Sequence, residues 1–341
     1  SAQVSLAGSK LVDACEVLRS NNFPGQRGRF HAGGAWAQEH ANDPLGLIQA
    51  ARSALIAAKT SGKAFDHYSA DSAACGHGDA GFESEVARAL EARQFQLFLQ
   101  PQVELPSRRL VGAEALLRWN RDGKKSASPP DILQVLERIG LMGELSRWVI
   151  QQAAQVLATL ADAGCEVPIS VNLVADDLKD PELPLFIRQT CETWRVPVSR
   201  MCFELTEGGL VSRDGMSVSN LEALRVGGGR LALDDFGTGY SSMDYLRRLP
   251  VDELKLDKSF VERITLTEND RSIVELMVRI AHTFGLEVVA EGVEDVATET
   301  VLREMGCDRA QGYLYAPAMS VEQFIVWWVS RQDVLLSAPA P

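Results

Sequence analysis

No apolar run in this chain approaches the roughly 18 residues a membrane-spanning helix requires. The opening SAQVSLAGSK also lacks the cationic-then-apolar pattern of a secretion signal. Direct membrane contact is not expected. The chain begins with Ser rather than Met, as expected of a piece of a longer polypeptide whose upstream part could carry a membrane anchor. Cysteine is sparse: six residues, at 15, 75, 165, 191, 202 and 307, form no CxxC pair and fall short of the density of a disulfide-stapled secreted domain. A reducing cytoplasm is the expected setting, with Cys165 and Cys202, both in apolar stretches, as small core residues. Basic charge is in deficit. With 34 Lys and Arg against 46 Asp and Glu the net charge is −12, which excludes the general positive field of a DNA, RNA or anionic-lipid binder. An anionic substrate would need its positive charge from bound metal.

What the sequence holds is a globular composition, 46% apolar and 23% charged, on 341 residues, enough for one large barrel plus an appendage. Residues 71–82, DSAACGHGDAGF, are small, polar and glycine-bearing, which reads as a linker. Downstream, from 83 to about 335, short apolar runs alternate with helical patterns: QLFLQPQVE, RRLVGAEALLRW, PISVNLV, MCFELTE, RLALDDF, ELKLD, LEVVAEGV and AQGYLYA. Between the second and third lies DILQVLERIGLMGELSRWVIQQAAQVLATLADAG, apolar at helical spacing and ending on glycine. Eight strands separated mostly by helices predict a parallel α/β barrel over a doubly wound sheet. Upstream, residues 1–70 hold one amphipathic helix, with Leu47, Ala51, Ala54, Leu55 and Ala58 on one face, and too little core to stand alone. Residues 336–341 form a tail.

Nearly every strand delivers a carboxylate, amide or ammonium near its C-terminal end: Glu114, Asn172, Glu204, Asp234 with Asp235, Lys255 with Asp257, Glu291 and Gln311. In a β/α barrel those ends share one mouth, where active sites lie. Strand period places Glu114, Leu116 and Arg118 on one face, and Lys255 with Asp257 on another. Asp234 and Asp235 would point oppositely along a regular strand, so both reach one site only if the strand ends there, as Gly237 and Gly239 suggest. Converging carboxylates repel unless a cation is bound. The all-oxygen donor set selects Mg²⁺ or Mn²⁺ over zinc, and none of the five histidines falls within these motifs. Five carboxylates suffice for two ions sharing one of them, an arrangement suited to in-line displacement at phosphorus, with Lys255 and Arg118 free to address phosphate oxygens.

Each residue alone has a plainer reading. Adjacent aspartates commonly cap helices or sit in solvated turns; Glu114 could pair with Arg118, Lys255 could snorkel at a rim, Asn172 could satisfy a loop, and Gln311 could cap a bend. It is the repetition of one residue type at one end of successive strands that these readings do not predict. Two other motifs fall away. DFG lacks the Gly-rich loop, strand lysine and HRD of a kinase, and GGG at 227–229 precedes its strand and so reads as a helix-to-strand connection.

With these residues assembled, the chain from about 83 to 335 closely resembles the EAL family of cyclic di-GMP phosphodiesterases. The resemblance is carried by EALLRW at 114–119, SVNL at 170–173, FELTE at 203–207, LDDFGTGYSS, LKLDKSF at 254–260, AEGVE at 290–294 and QGYLYAPAM at 311–319. It implies a modified TIM-like (β/α)8 barrel with one antiparallel strand, behind a small N-terminal α/β appendage. It also implies hydrolysis of cyclic di-GMP to linear pGpG with Mg²⁺ or Mn²⁺. By the same resemblance, Glu114, Asn172, Glu204 and Asp234 hold one ion, and Asp234, Asp235 and Glu291 a second. Lys255 contacts the attacking water or phosphate, and Glu291 is a general-base candidate. Gln100, Leu117, Arg118, Asp257 and Gln311 fall at substrate-side positions, and Glu207 steadies the loop after Asp235, a loop tied in the family to metal binding and dimerisation. Gly208 and Gly209 depart from the family pattern beside Glu207, and KLD replaces the commoner KID. Residues 1–70, through AARSALIAAKTSGKAFDHYS, resemble the last part of a GGDEF domain without its signature, so no cyclase activity is expected. A homodimer through the barrel is implied, and the alternative function is a cyclic di-GMP receptor that binds without cutting.

Overall fold

The computed structural model describes residues 32–35, 51, 54–55, 65–67, 70–121, 127–206, 215–237, 246–247 and 249–337. The chain divides into two compact units, Ser1–Glu91 and Ala92–Pro341. In the first, strand β1 (Ala32–Gly34) pairs in parallel with β2 (Phe65–His67), and helix α1 follows over Ala70–Glu91. The stretch 71–82, expected as a linker, thus runs within a helix, and the division falls after Glu91. Its three alanines are matched by three glycines, and the strong helix formers lie downstream in ESEVARALE at 83–91, with which 71–82 forms one continuous helix. Of the expected 47–58 helix, residues 51, 54 and 55 are helical and the rest lies outside the described residues, as does most of 1–70.

The second unit is a closed eight-stranded barrel in the order β10-β3-β4-β5-β6-β7-β8-β9. Its strands are β3 (Phe95–Glu104), β4 (Leu110–Trp119), β5 (Ile169–Asn172), β6 (Met201–Thr206), β7 (Arg230–Phe236), β8 (Glu253–Leu256), β9 (Glu287–Ala290) and β10 (Arg309–Gln311). Six lie within one of the eight apolar runs, and β3 and β10 each begin one residue before theirs. Strand β3 is antiparallel to both neighbours, β4 and β10, and every other pairing is parallel. The expected barrel with one reversed strand is the one observed. Parallel strands covered by helices are buried on both faces, which accounts for the unbroken burial from Met201 to Leu205 in β6 and along all of β8.

Local chemistry sets the element ends. The long helical segment splits into α2 (Pro129–Ile139) and α3 (Met142–Asp162). Gly140 caps α2 at φ 75°, a left-handed conformation glycine adopts without penalty, and Ser128 caps its start by accepting from the Asp131 amide. Helix α4 spans Leu183–Trp194 and α5 spans Gly215–Val226; residues 227–229 then join α5 to β7 as expected. A Cβ at Gly229 would approach Phe203 at 3.0 Å, so that glycine lets the connection pass close to β6. After β8 comes α6 (Lys258–Val261), then α7 (Glu268–Thr283), α8 (Val296–Glu304) and α9 (Val321–Ser337). Among the described residues, no helix is long and apolar enough to cross a membrane. Cys165 and Cys202 are buried and free, and burial raises both thiol pKa values, as expected of core residues rather than nucleophiles.

The amino-terminal end of the barrel is closed by balanced charge. Glu253, 3% exposed, receives Arg230 at 2.8 Å and Arg309 at 3.3 Å, and Arg309 also reaches Glu287 at 2.6 Å. Near the other end, Phe95 packs edge-to-face on Trp119 at 5.4 Å and on Trp148 of α3 at 6.1 Å, fastening the β3–β4 hairpin to the helical layer. Trp119→Ala is expected to destabilise the barrel by about 3–5 kcal/mol, measured as a lowered urea midpoint of its unfolding transition.

Candidate active site

Register aligns the polar residues. Asn172 lies opposite Glu204, Gln100 opposite Glu114, and Gln102 opposite Gln311. Glu291 extends the β8–β9 pairing by one bond, its amide donating to the Leu256 carbonyl at 3.1 Å.

At the centre is Lys255, 1% exposed. Its Nζ lies 2.6 Å from Glu291 Oε1, 2.7 Å from Glu204 Oε2, 3.3 Å from Asp234 Oδ1 and 3.7 Å from Glu114 Oε2. One ammonium therefore serves four carboxylates from four strands or their ends. Burial opposes the charge on Lys255, but the surrounding acids outweigh it and hold its pKa well above the ordinary lysine value. The acids do not fare equally. Glu204 is fully buried, and burial followed by repulsion from Glu114 and Asp234 raises its pKa well above the carboxylate range despite Lys255. Burial, with the same neighbours, pushes Glu291 to about 7. Asp235 is raised by burial, then by Asp234 and Asp257. A single cation leaves this cluster short of positive charge.

Asp234 and Asp235 reach the site by a route the sequence did not indicate. Strand β7 does not end at them; it continues through Phe236. Leu233 faces Leu254 and Phe236 faces Leu256, so the two aspartates together oppose the single residue Lys255. This is a β-bulge. Asp235 takes φ 54°, left-handed and uncommon for a non-glycine residue, and its amide donates to Asp234 Oδ1 at 3.0 Å. The expectation that glycines terminate the strand is corrected: the extra residue breaks the two-residue alternation that would otherwise point the carboxylates apart. Gly237, at φ 96°, turns the chain only afterwards.

Amides complete the cluster. Glu114 accepts from Asn172 Nδ2 at 3.1 Å and from Gln311 Nε2 at 2.6 Å; Gln311 also donates to Gln100 Oε1 at 3.0 Å and accepts from Gln102 Nε2 at 3.0 Å. The sequence does not single out Gln102: strand period places it on one face of β3 with Gln96, Phe98 and Gln100, a mixed row that carries no site signal of its own. The alternative pairing of Glu114 with Arg118 is not the one formed: Arg118 lies 5.9 Å from the Phe98 ring centroid and donates to the Leu117 carbonyl at 2.8 Å. Asp257 follows β8 and caps α6, accepting from the Ser259 amide at 3.1 Å. Glu207 and loop residues 238–242 lie outside the described residues.

Whether these residues fit a divalent metal can be tested on the donors themselves. Among the described residues, no three Asp, Glu, His or Cys side chains are arranged as ligands of one ion; the carboxylates gather on Lys255 instead. The chemistry nonetheless fits a hard cation: all donors are oxygen or amide, acids outnumber the ammonium, and Glu204 Oε1 is buried without a hydrogen-bond partner.

The family profile for the EAL domain matches residues 83–318. The cyclic di-GMP phosphodiesterase RocR of Pseudomonas aeruginosa is 34% identical over 242 residues, covering 71% of this chain and 62% of RocR. A solved structure of the PaMucR phosphodiesterase with c-di-GMP superposes at a TM-score of 0.67 and 35% identity, covering 71% of this chain and 98% of that one. The EAL enzyme Bd1971, solved with cAMP and cyclic di-GMP, gives 0.70 at 27% identity over 74% of this chain and 69% of its own. The chain spans between 31% and 62% of the length of the curated relatives it matches.

The raised carboxylates carry a sign for stability. A group whose folded pKa lies above its unfolded value favours the fold below the unfolded value, and that contribution is lost as pH rises through the folded one. For Glu291 the window runs from its ordinary 4.5 up to about 7, and Glu204 and Asp235 act in the same direction. In chelator, this cluster is expected to lower the unfolding temperature between about pH 5 and about pH 8, with added Mg²⁺ raising it more at the higher pH; calorimetry across that range measures both.

Proposed function

The chain belongs to the EAL domain family, and from that premise we propose that it is a metal-dependent phosphodiesterase that cleaves cyclic di-GMP to linear pGpG, lowering a bacterial second messenger. The observation that carries this reading is the gathering of Glu114, Glu204, Asp234 and Glu291 on one buried ammonium, an acid-rich centre that calls for added cations. Relatives named for this activity support it.

Glu114, Asn172, Glu204 and Asp234 would hold one Mg²⁺ or Mn²⁺, and Asp234, Asp235 and Glu291 a second. Bound there, the ions would lower the pKa of water and neutralise charge on the phosphodiester. Glu291, at the end of β9 and 2.6 Å from Lys255, would be placed to take a proton from the attacking water. That water's oxygen bonds to phosphorus as the bond to the leaving ribose oxygen breaks. Lys255 supplies an ammonium for a non-bridging phosphate oxygen, its long stem allowing it to shift from carboxylate to substrate. Gln100, Leu117, Arg118, Asp257 and Gln311 line the substrate side, and Glu207 steadies the loop after Asp235. Within the same reading the protein is cytoplasmic and forms a homodimer through the barrel. Its domain plan is a GGDEF-like remnant without cyclase activity over 1–70, a linker role for 71–82, the catalytic barrel over 83–335 and a tail over 336–341.

A second reading, a receptor that holds cyclic di-GMP without turnover, draws on one specific observation. The carboxylates already share Lys255, so ions must displace an internal cation before the site is charged for hydrolysis.

Incubation with cyclic di-GMP and Mg²⁺ or Mn²⁺, with products resolved by chromatography, is expected to yield pGpG. Glu114→Ala should lower the rate on the order of 10³-fold. Tight binding with no pGpG under either metal would establish the receptor instead. In the same assay Asp234→Asn is expected to cost more activity than Asp235→Asn, since the first carboxylate serves both ions and the second only one.

A further inference from the structure

Resting on the hydrolase reading above, we propose that Gln102 is a positioning residue for the reaction: it fixes the orientation of the Gln311 amide and, through it, of Glu114 and Gln100, with Gly112 as the notch that admits it.

Gln102 is 2% exposed and faces Gln311 across the antiparallel β3–β10 pair. A primary amide offers two N–H donors and one acceptor oxygen, and Gln311 uses all three sides. Its nitrogen donates to Glu114 Oε2 at 2.6 Å and to Gln100 Oε1 at 3.0 Å, while its oxygen accepts from Gln102 Nε2 at 3.0 Å. Only one orientation satisfies these contacts. Turned by half a rotation, the Gln311 oxygen would face two acceptor oxygens and its nitrogen would face the nitrogen of Gln102. Glu114, which can only accept, draws the nitrogen end of this amide, and Gln102 is the group that donates to its oxygen end and so holds that end away from Glu114.

The space for this arrangement comes from β4. Gln102 lies opposite Gly112, where a Cβ would fall 2.8 Å from Gln102 Oε1. Any side chain at 112 would push the Gln102 amide from its place. Gly112 stands two residues before Glu114, so one strand supplies both the carboxylate and the gap that admits its indirect support. Without the Gln102 donor, the buried Gln311 oxygen loses its partner, and the amide is held only from its nitrogen end and can shift from its place. The Oε2 of Glu114 is then left to Lys255 at 3.7 Å, and the carboxylate is drawn to the ammonium rather than held for an ion.

The test uses the whole chain carrying Gln102→Met, which keeps volume and removes the donor, Gly112→Ala, which keeps the donor and displaces it, and the pair together. In metal-free protein, the Gln311 side-chain amide resonances, identified by their loss in Gln311→Met, are expected to move in both single variants. The Mg²⁺ concentration giving half-maximal thermal stabilisation should rise roughly tenfold in each, and the double variant should lie within about twofold of the weaker single. Lost pGpG formation should be largely recovered at saturating Mg²⁺, which general loosening of the fold would not produce. Unmoved Gln311 resonances with an unchanged Mg²⁺ midpoint in folded Gln102→Met, or additive effects in the double variant, would overturn the inference. If Gln102→Met does not fold, Gly112→Ala decides by the same readouts. If the unsubstituted protein cuts no cyclic di-GMP under any metal, the hydrolase reading fails, and the metal-free Gln311 resonances still decide the placement of the amide.

Discussion

Everything at the mouth of this barrel is arranged around the ammonium of Lys255. Four carboxylates from different strands or their ends could not be packed together at low exposure without it, since each would repel the others in a medium that screens poorly. The opposite end of the barrel shows what a settled ionic cluster looks like: Glu253 and Glu287 against Arg230 and Arg309, two charges of each sign. The contrast between the ends is informative. One is balanced and closes the barrel; the other carries an excess of acid, with carboxyl pKa values raised by burial and mutual repulsion, and a buried oxygen of Glu204 left unpartnered. The lysine makes that excess tolerable in the absence of other cations.

The reversed strand explains how the amides arrive. In a barrel whose strands all run parallel, each strand offers site residues chiefly where it ends. Strand β3 runs against both neighbours and addresses them along its length: Gln100 stands beside Glu114 of β4, and Gln102 beside Gln311 of β10. The amides of Gln100, Gln102 and Gln311 thus bridge the seam between the first and last strands of the barrel and tie Glu114 to both sides of it.

Much of this was legible in the sequence, for a physical reason. Burying both faces of parallel strands leaves apolar runs that are easy to count, and a carboxylate ending such a run has few structural duties there. Glu114, Asn172, Glu204, Asp234, Lys255, Glu291 and Gln311 all emerged that way, and the structure gathers them. What stayed hidden depends on pairing. The contact partners of Lys255 follow from how four strands stagger, and the bulge at Asp234 and Asp235 exists only relative to the register of β8. Gln102 reads as an unremarkable polar residue until β10 is known to lie antiparallel beside it. The helical form of 71–82 was not legible, because three glycines accompany its three alanines and the stronger helix formers follow only at 83–91.

The bulge in β7 also separates the scaffold from what was added to it. Remove Asp235 from the pairing, and Leu233 still faces Leu254, Phe236 still faces Leu256, and Asp234 alone faces Lys255. The remainder is an ordinary strand of an ordinary barrel with one carboxylate at that position. A second carboxylate can therefore enter such a barrel by insertion of a single codon, without changing which strand lies beside which. The position is then held by its chemistry against the conformational preference of its own backbone, and a barrel freed from that chemistry would gain by losing the residue.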